Sequence, residues 1–235
     1  MRSSLLAAAG VATALGSSAY AVRGRSSSLF APSIYKGVPN RRSLALTFDD
    51  GPSESTPKLL EILNRHSIKA TFFQCGANVR RLPEVAREVA LEGHEIGNHS
   101  DTHPLFAFKS PEFISGELRR AQDSIQQAAQ IAPVFFRPPF GVRWFGLRQA
   151  QKSLGLTGVM WTTIGVDWKG PERRIAQRLL KGAKNGAIFC LHDGRELLPK
   201  PDIRATIAAV LQLLPILMNQ GFHFERVSEI LCPTT

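Results

Sequence analysis

Thr47-Phe48-Asp49-Asp50-Gly51-Pro52, residues 47–52, is the stretch on which the fold of this 235-residue chain turns. The apolar run Leu44-Ala45-Leu46 before it has the character of a short buried strand. Gly51-Pro52 then breaks the chain into a loop. Two adjacent carboxylates therefore end a strand beside a turn. Neighbours on a strand point to opposite faces, but at a strand end the backbone can bring both inward. Two like charges this close repel unless a cation or an arginine joins them. Taken alone, the stretch is equally well a solvated Asp-Asp-Gly turn; partners elsewhere in the chain separate the two readings.

Outward from this point the pattern alternates. Strand-like runs fall at 43–48, 69–74, 94–97, 133–136, 157–161, 186–191 and 222–224. Helical periodicity falls at about 56–66, 82–92, 111–130, 144–154, 172–182 and 203–219. Ser110-Pro111 is a cap residue followed by proline at the first helical position. Strands alternating with helices imply βαβ units and a parallel sheet. Seven such strands predict an incomplete α/β barrel, whose chemistry belongs at the C-terminal ends of the strands.

The remaining motifs fall at those ends. His99 and His103 follow the third strand; four apart, they share one face of a helical turn and suit two nitrogen ligands on one metal. With one carboxylate of Asp49-Asp50 they make a two-histidine, one-carboxylate set that leaves positions open for water and substrate. Arg137-Pro138-Pro139-Phe140-Gly141 follows the fourth strand. Its prolines stiffen the loop, Arg137 can pair with a carboxylate, and the Phe140 N–H can point at a developing oxyanion. Asp167-Trp168 follows the fifth strand and Leu191-His192-Asp193 the sixth. A histidine at a barrel mouth is well suited to be a general acid. His66, His94 and His223 match no motif and are read as structural.

Composition sets the class. With 43% hydrophobic and 20% charged residues, the chain is an ordinary globular one. The net charge is +10, but the basic residues are scattered in small groups such as Arg41-Arg42 and Arg119-Arg120. No basic run interleaved with aromatics occurs, so nucleic acid is not an expected partner. An anionic cell envelope or membrane surface fits the charge better. Three cysteines, Cys75, Cys190 and Cys232, form no disulfide framework and match no metal spacing. Cys75 and Cys190 read as small buried residues. Residues 1–22 combine Arg2, an uncharged alanine-rich run and Ala19-Tyr20-Ala21, the outline of a cleaved signal peptide, with an uncleaved N-terminal anchor as the alternative. An exported protein is expected. Residues 23–42 read as a linker, and residues 43–235 as one catalytic domain.

The five segments 47–52, 99–103, 137–141, 167–168 and 191–193, in this order, resemble the polysaccharide deacetylase family, the NodB-homology domain of carbohydrate esterase family 4. The resemblance covers about residues 43–231. It implies a distorted (β/α)7 barrel of parallel strands and a divalent metal, usually zinc, with cobalt or another divalent ion as substitutes. It implies Asp50, His99 and His103 as metal ligands, Asp49 as general base and Arg137 as the residue orienting it. His192 becomes the general acid, tuned by Asp167. Pro139, Phe140, Gly141, Trp168 and Leu191 become substrate-binding residues, with Trp168 and Leu191 around the acetyl methyl.

Two positions depart from the family pattern. Ile164 stands where the family often has an Asp, and Phe140 where many members have Tyr. The resemblance implies N-deacetylation of an N-acetylhexosamine polymer by a monomer, with peptidoglycan first and chitin-type glycans second. An O-acetyl xylan-type esterase, another small-amide hydrolase and a non-catalytic wall-binding protein are the alternatives.

Overall fold

The computed structural model describes residue 16 and residues 18–233 of the chain. The sheet is built around β2 (Ser43–Gly51), all nine residues of which are buried. It pairs in parallel with β3 (Thr71–Gln74) on one side and β8 (Ala187–His192) on the other. Outward from β3 come β4 (Glu95–Asn98), β5 (Phe135–Phe136), β6 (Thr157–Val159) and β1 (Ser33–Ile34); outward from β8 comes β7 (Thr163–Ile164). β9 (His223–Phe224) pairs with the start of β2 at Ser43 and Leu44. Every pairing is parallel. Among the described residues no ladder joins the edges β1 and β7. The result is the curled, open form of a (β/α)7 barrel.

Strand alternation explains why parallel strands read as continuous apolar runs: both faces are covered. Leu44, Leu46, Phe48, Phe72, Phe189 and Leu191 face outward into the larger core cluster. There they meet α1 (Thr56–Arg65), α3 (Pro83–Leu91), α6 (Glu172–Lys181) and α7 (Arg204–Asn219) through Leu60, Val89, Leu179 and Leu213. Each such fully buried side chain stabilises the fold by roughly 1.5–3 kcal/mol. Ala45, Phe73, Val159 and Ile188 face inward and form a separate cluster with Val227 and Ile230 of α8 (Val227–Leu231). That helix follows β9 beside the start of β2, so it plugs the end of the barrel opposite the catalytic motifs.

Between these lie α2 (Gly76–Arg81), α4 (Pro111–Ala129) and α5 (Leu147–Ser153). α4 begins as the sequence predicts: Ser110 accepts a hydrogen bond from the Phe113 N–H, with proline in the first turn. α5 starts later than the periodicity suggests, because Gly146 at its N-cap has φ +84°. Trp144 and Phe145 before it join a surface group of rings with Phe30 and Phe108. Among the described residues no helix is long and apolar enough to cross a membrane.

Four expectations change. β7 and β1 are strands of two residues, and α2 and α8 are helices of six and five; all are too short to show a period. Asp167 accordingly follows β7 rather than the strand read at 157–161. Residues 23–42, read as a linker, are packed onto the barrel. β1 extends the sheet along β6, and the fully buried Arg143 gathers the segment. Its backbone N–H donates to the Val22 carbonyl at 3.0 Å and its guanidinium to the carbonyls of Ser27 and Gly24. Finally, β2 does not end at Phe48 but runs through both aspartates. The leader read at 1–22 lies largely outside the described residues.

Candidate active site

The paired carboxylates both face the barrel mouth because β2 carries a bulge between Asp49 and Gly51, where its register to β3 slips. A bulge inserts one residue and re-aims its side chain. Asp50 takes φ +71° there, a conformation that Asp tolerates better than most residues. Strand alternation alone would have sent Asp50 to the outer face.

Asp50, His99 and His103 converge. His99 Nε2 and His103 Nε2 lie 3.3 Å and 3.1 Å from Asp50 Oδ1. The Glu196 N–H holds the other carboxylate oxygen at 2.9 Å. His99 Nδ1 donates to the Arg137 carbonyl at 2.7 Å. In the neutral ring this leaves the lone pair of Nε2 facing the carboxylate. An acceptor facing an acceptor needs a cation between them, and Asp50 Oδ1 has no hydrogen-bond donor. The three residues therefore fit a divalent metal, and the Nδ1 bond is the kind of outer hydrogen bond that orients a ligating imidazole. The loop carrying the histidines is fixed from behind: Glu117 of α4 accepts from the N–H groups of Asp101 and Thr102 at 3.1 Å and 2.7 Å.

Beside this group, Asp49 Oδ1 takes the Arg137 Nη1 at 2.7 Å. Arg137 is fully buried, bonded to Thr47 Oγ1 at 2.6 Å and to the Val159 and Met160 carbonyls, with its guanidinium 4.1 Å from the Phe73 ring centroid. It is held on every side. His192 stands opposite Asp49 on β8. Its Nδ1 is 2.7 Å from Asp167 Oδ1. Asp167 Oδ2 accepts from the His192 N–H at 3.0 Å and from Thr206 Oγ1 at 2.6 Å. Burial pushes the imidazole down, but the Asp167 carboxylate, with Asp50 and Asp49 behind it, lifts it to about 9.

These groups open into one cavity of about 530 Å³. Phe140, Gly141 and Trp168 line it. Phe140 stacks edge-on against His103 at 4.6 Å, and Trp168 against His192 at 5.2 Å. Gly141, at φ +67°, leaves no room for a side chain: a Cβ would sit 2.9 Å from Trp161. Two expectations fail here. Leu191 lies on the outer face of β8, in the helix-side core, because it alternates with Cys190 and His192. Pro139 is buried beside the cavity, and Pro138 lines it instead.

Six further residues reach the cavity without having been singled out as site residues: Arg23, Trp161, Cys190, Arg195, Glu196 and Leu198. Cys190 was legible from β8 alternation, two residues before His192. Arg23 was not, because nothing in its own stretch shows that Arg143 pins that segment to the barrel.

Residues 36–159 match the profile of the polysaccharide deacetylase family. A peptidoglycan-N-acetylglucosamine deacetylase of Bacillus cereus is 36% identical over 83% of this chain and 91% of its own length. A chitooligosaccharide deacetylase of a Bradyrhizobium strain is 34% identical over 83% of this chain and 94% of its own. The chain spans only 42% of the length of the Listeria monocytogenes peptidoglycan deacetylase PgdA, at 35% identity. A solved peptidoglycan N-acetylglucosamine deacetylase, crystallised with a hydroxamate, superposes with a TM-score of 0.78 at 30% identity over 84% of this chain and 91% of that one. The bulged aspartate pair, the His99–His103 loop and the parallel sheet thus sit in a known setting: this chain belongs to the polysaccharide deacetylase family.

Proposed function

We propose that this chain hydrolyses the N-acetyl groups of an N-acetylhexosamine polymer, peptidoglycan first and chitin-type glycans second, releasing acetate. The observation that carries the reading is the register of β2 on β8, which sets Asp49 opposite His192 beside the Asp50–His99–His103 group. A base and an acid are thereby fixed at one cavity, as amide hydrolysis requires.

A divalent cation held by Asp50, His99 and His103, with zinc as first choice and cobalt as a substitute, would polarise the amide carbonyl and acidify water. Arg137 fixes Oδ1 of the Asp49 carboxylate, and Oδ2, which among the described residues has only the weak Cys190 thiol donor beside it at 3.4 Å, takes the proton of the attacking water. The Phe140 N–H is the donor for the oxyanion. Asp167 occupies Nδ1 of His192, so the transferable proton sits on Nε2 and passes to the leaving nitrogen. Acetate and a free amine result. Trp168 and Phe140 supply the apolar walls against the acetyl group and the sugar.

The charge of +10 and the uncharged alanine-rich run before Arg23 support an exported protein working at the cell envelope. N-terminal sequencing of the chain recovered from its host tests this. An intact Met1 on a protein confined to the cytosol would end the idea.

Acetate release from N-acetylglucosamine oligomers, set beside release from O-acetylated xylan, tests the bond that is cleaved. A faster rate on the N-acetyl substrate is expected. Release from xylan alone would move the chain to the esterase reading, and glycan binding with no release from either to the wall-binding one.

A further inference from the structure

Strand alternation puts a thiol beneath the acid–base pair. Cys190 and His192 are two apart on β8 and share its inner face, opposite Thr47 and Asp49 of β2. Cys190 is 1% exposed, lines the floor of the cavity, and its Sγ lies 3.4 Å from Asp49 Oδ2. One ligand atom from each of Asp49, Cys190 and His192 lies within 4.8 Å of the other two. The far sides of the two outer residues are already fixed: Arg137 holds Asp49 Oδ1 and Asp167 holds His192 Nδ1, each at 2.7 Å. Asp49 Oδ2, Cys190 Sγ and His192 Nε2 are left for the cavity.

A carboxylate, a thiol and an imidazole oriented by outer hydrogen bonds form a donor set for zinc, cobalt or cadmium rather than for calcium or magnesium. Metal–ligand bonds of about 2.0–2.3 Å put tetrahedral neighbours about 3.5 Å apart, so on a bound ion the three atoms, within 4.8 Å of one another, would draw together.

We propose that Asp49, Cys190 and His192 form a second cation site, distinct from Asp50, His99 and His103, which takes a borderline or soft divalent cation and blocks hydrolysis by occupying both base and acid. The blocking role rests on the deacetylase reading; the binding does not. On binding, the cation displaces the Cys190 thiol proton and, where His192 is charged, its Nε2 proton, and both pass to solvent. Burial and the Asp49 charge push the thiol up. Without a cation, therefore, Cys190 is a protonated donor to Asp49 and not a reactive thiolate.

The test is a cobalt titration of the full chain, stripped with a chelator and carrying Cys232→Ser to remove the exposed thiol. Two cobalt ions per chain are expected, the second bringing a thiolate-to-cobalt charge-transfer band in the near ultraviolet. Adding Cys190→Ser, or Cys190→Ala as a second variant, lowers the count to one and removes the band. His103→Ala removes one ion and keeps the band. A single ion in the parent, two ions without the band, or a band that survives both Cys190 variants overturns the site. Acetate release is expected to rise with the first ion and fall at least tenfold with the second. Full activity with both ions bound overturns the blocking role. Two ions and the band in a chain that never releases acetate keep the site and overturn the deacetylase reading.

Discussion

At Asp50 one backbone angle decides what two adjacent carboxylates can do. With φ at +71° in a bulge, Asp50 turns to the histidines while Asp49 keeps the inward position that alternation gives it. The residue types were legible in the sequence, since Asp-Asp, His-x-x-x-His and Leu-His-Asp each ended an apolar run. The bulge was not, because no local signal separates a strand that ends at Phe48 from one that continues with a kink. Leu191 shows the converse: period-two alternation, applied strictly to β8, already excludes it from the cavity that Cys190 and His192 face. The His192–Asp167 pair gives a prediction at this scale. In the metal-free chain, the proton NMR titration of the His192 ring should have its midpoint near 9. Asp167→Asn removes the charge that raises it, so the midpoint should fall by at least one unit; an unmoved midpoint would contradict the assignment. The sign for stability follows. A folded value above the usual 6.5 contributes stability that is full below 6.5 and lost as pH rises through about 9.

Among the elements, the segment before β1 is held by Arg143 from inside the barrel and by Arg148, which donates to the Ser28 and Leu29 carbonyls, from the surface. Arg143 satisfies carbonyls of residues 24 and 27 from inside the protein, and among the described residues no carboxylate pairs with it. Burial pushes its guanidinium down, which marks it as a structural donor of hydrogen bonds. Arg143→Met should lower stability by roughly 3 kcal/mol and open residues 24–29 to limited proteolysis, while the parent chain resists. Equal resistance in both would mean that the segment is held by other contacts. His94, at the entry to β4, accepts from the Ala70 N–H at 3.1 Å. Burial, then Lys69 and Arg226, lower it to about 4. Its folded value lies below the unfolded one, so protonation favours unfolding. Stability should fall by about 3 kcal/mol as pH drops from 6.5 to 4. His94→Gln should flatten that part of the acid denaturation curve. The long helices and β2, β3 and β8 were readable because they bury enough residues to show a period. β1, β7, α2 and α8 were not, since their pairing or packing, not their sequence, makes them regular.

Over the whole molecule, a charge of +10 without a basic run acts as a diffuse field. Binding to an anionic glycan should weaken steadily as salt rises past about 0.15 M, where the Debye length is about 8 Å. Binding to neutral chitooligosaccharides should change little. Equal salt dependence for both would assign the charge no part in choosing the polymer. Barrel topology was legible from alternation alone, and the order of the five motifs placed the chain in its family. The open seam between β1 and β7, and the return of residues 23–34 along it, depend on contacts between distant parts of the chain. The central claim is that Asp49 and His192, set against Asp50, His99 and His103, remove N-acetyl groups. The direct measurement is the acetate and free amine formed by the zinc-loaded full chain on N-acetylglucosamine oligomers, with Asp49→Asn alongside. The account predicts one amine for each acetate and a loss of 10²–10⁴-fold in the variant. Acetate formed equally well by Asp49→Asn would contradict it.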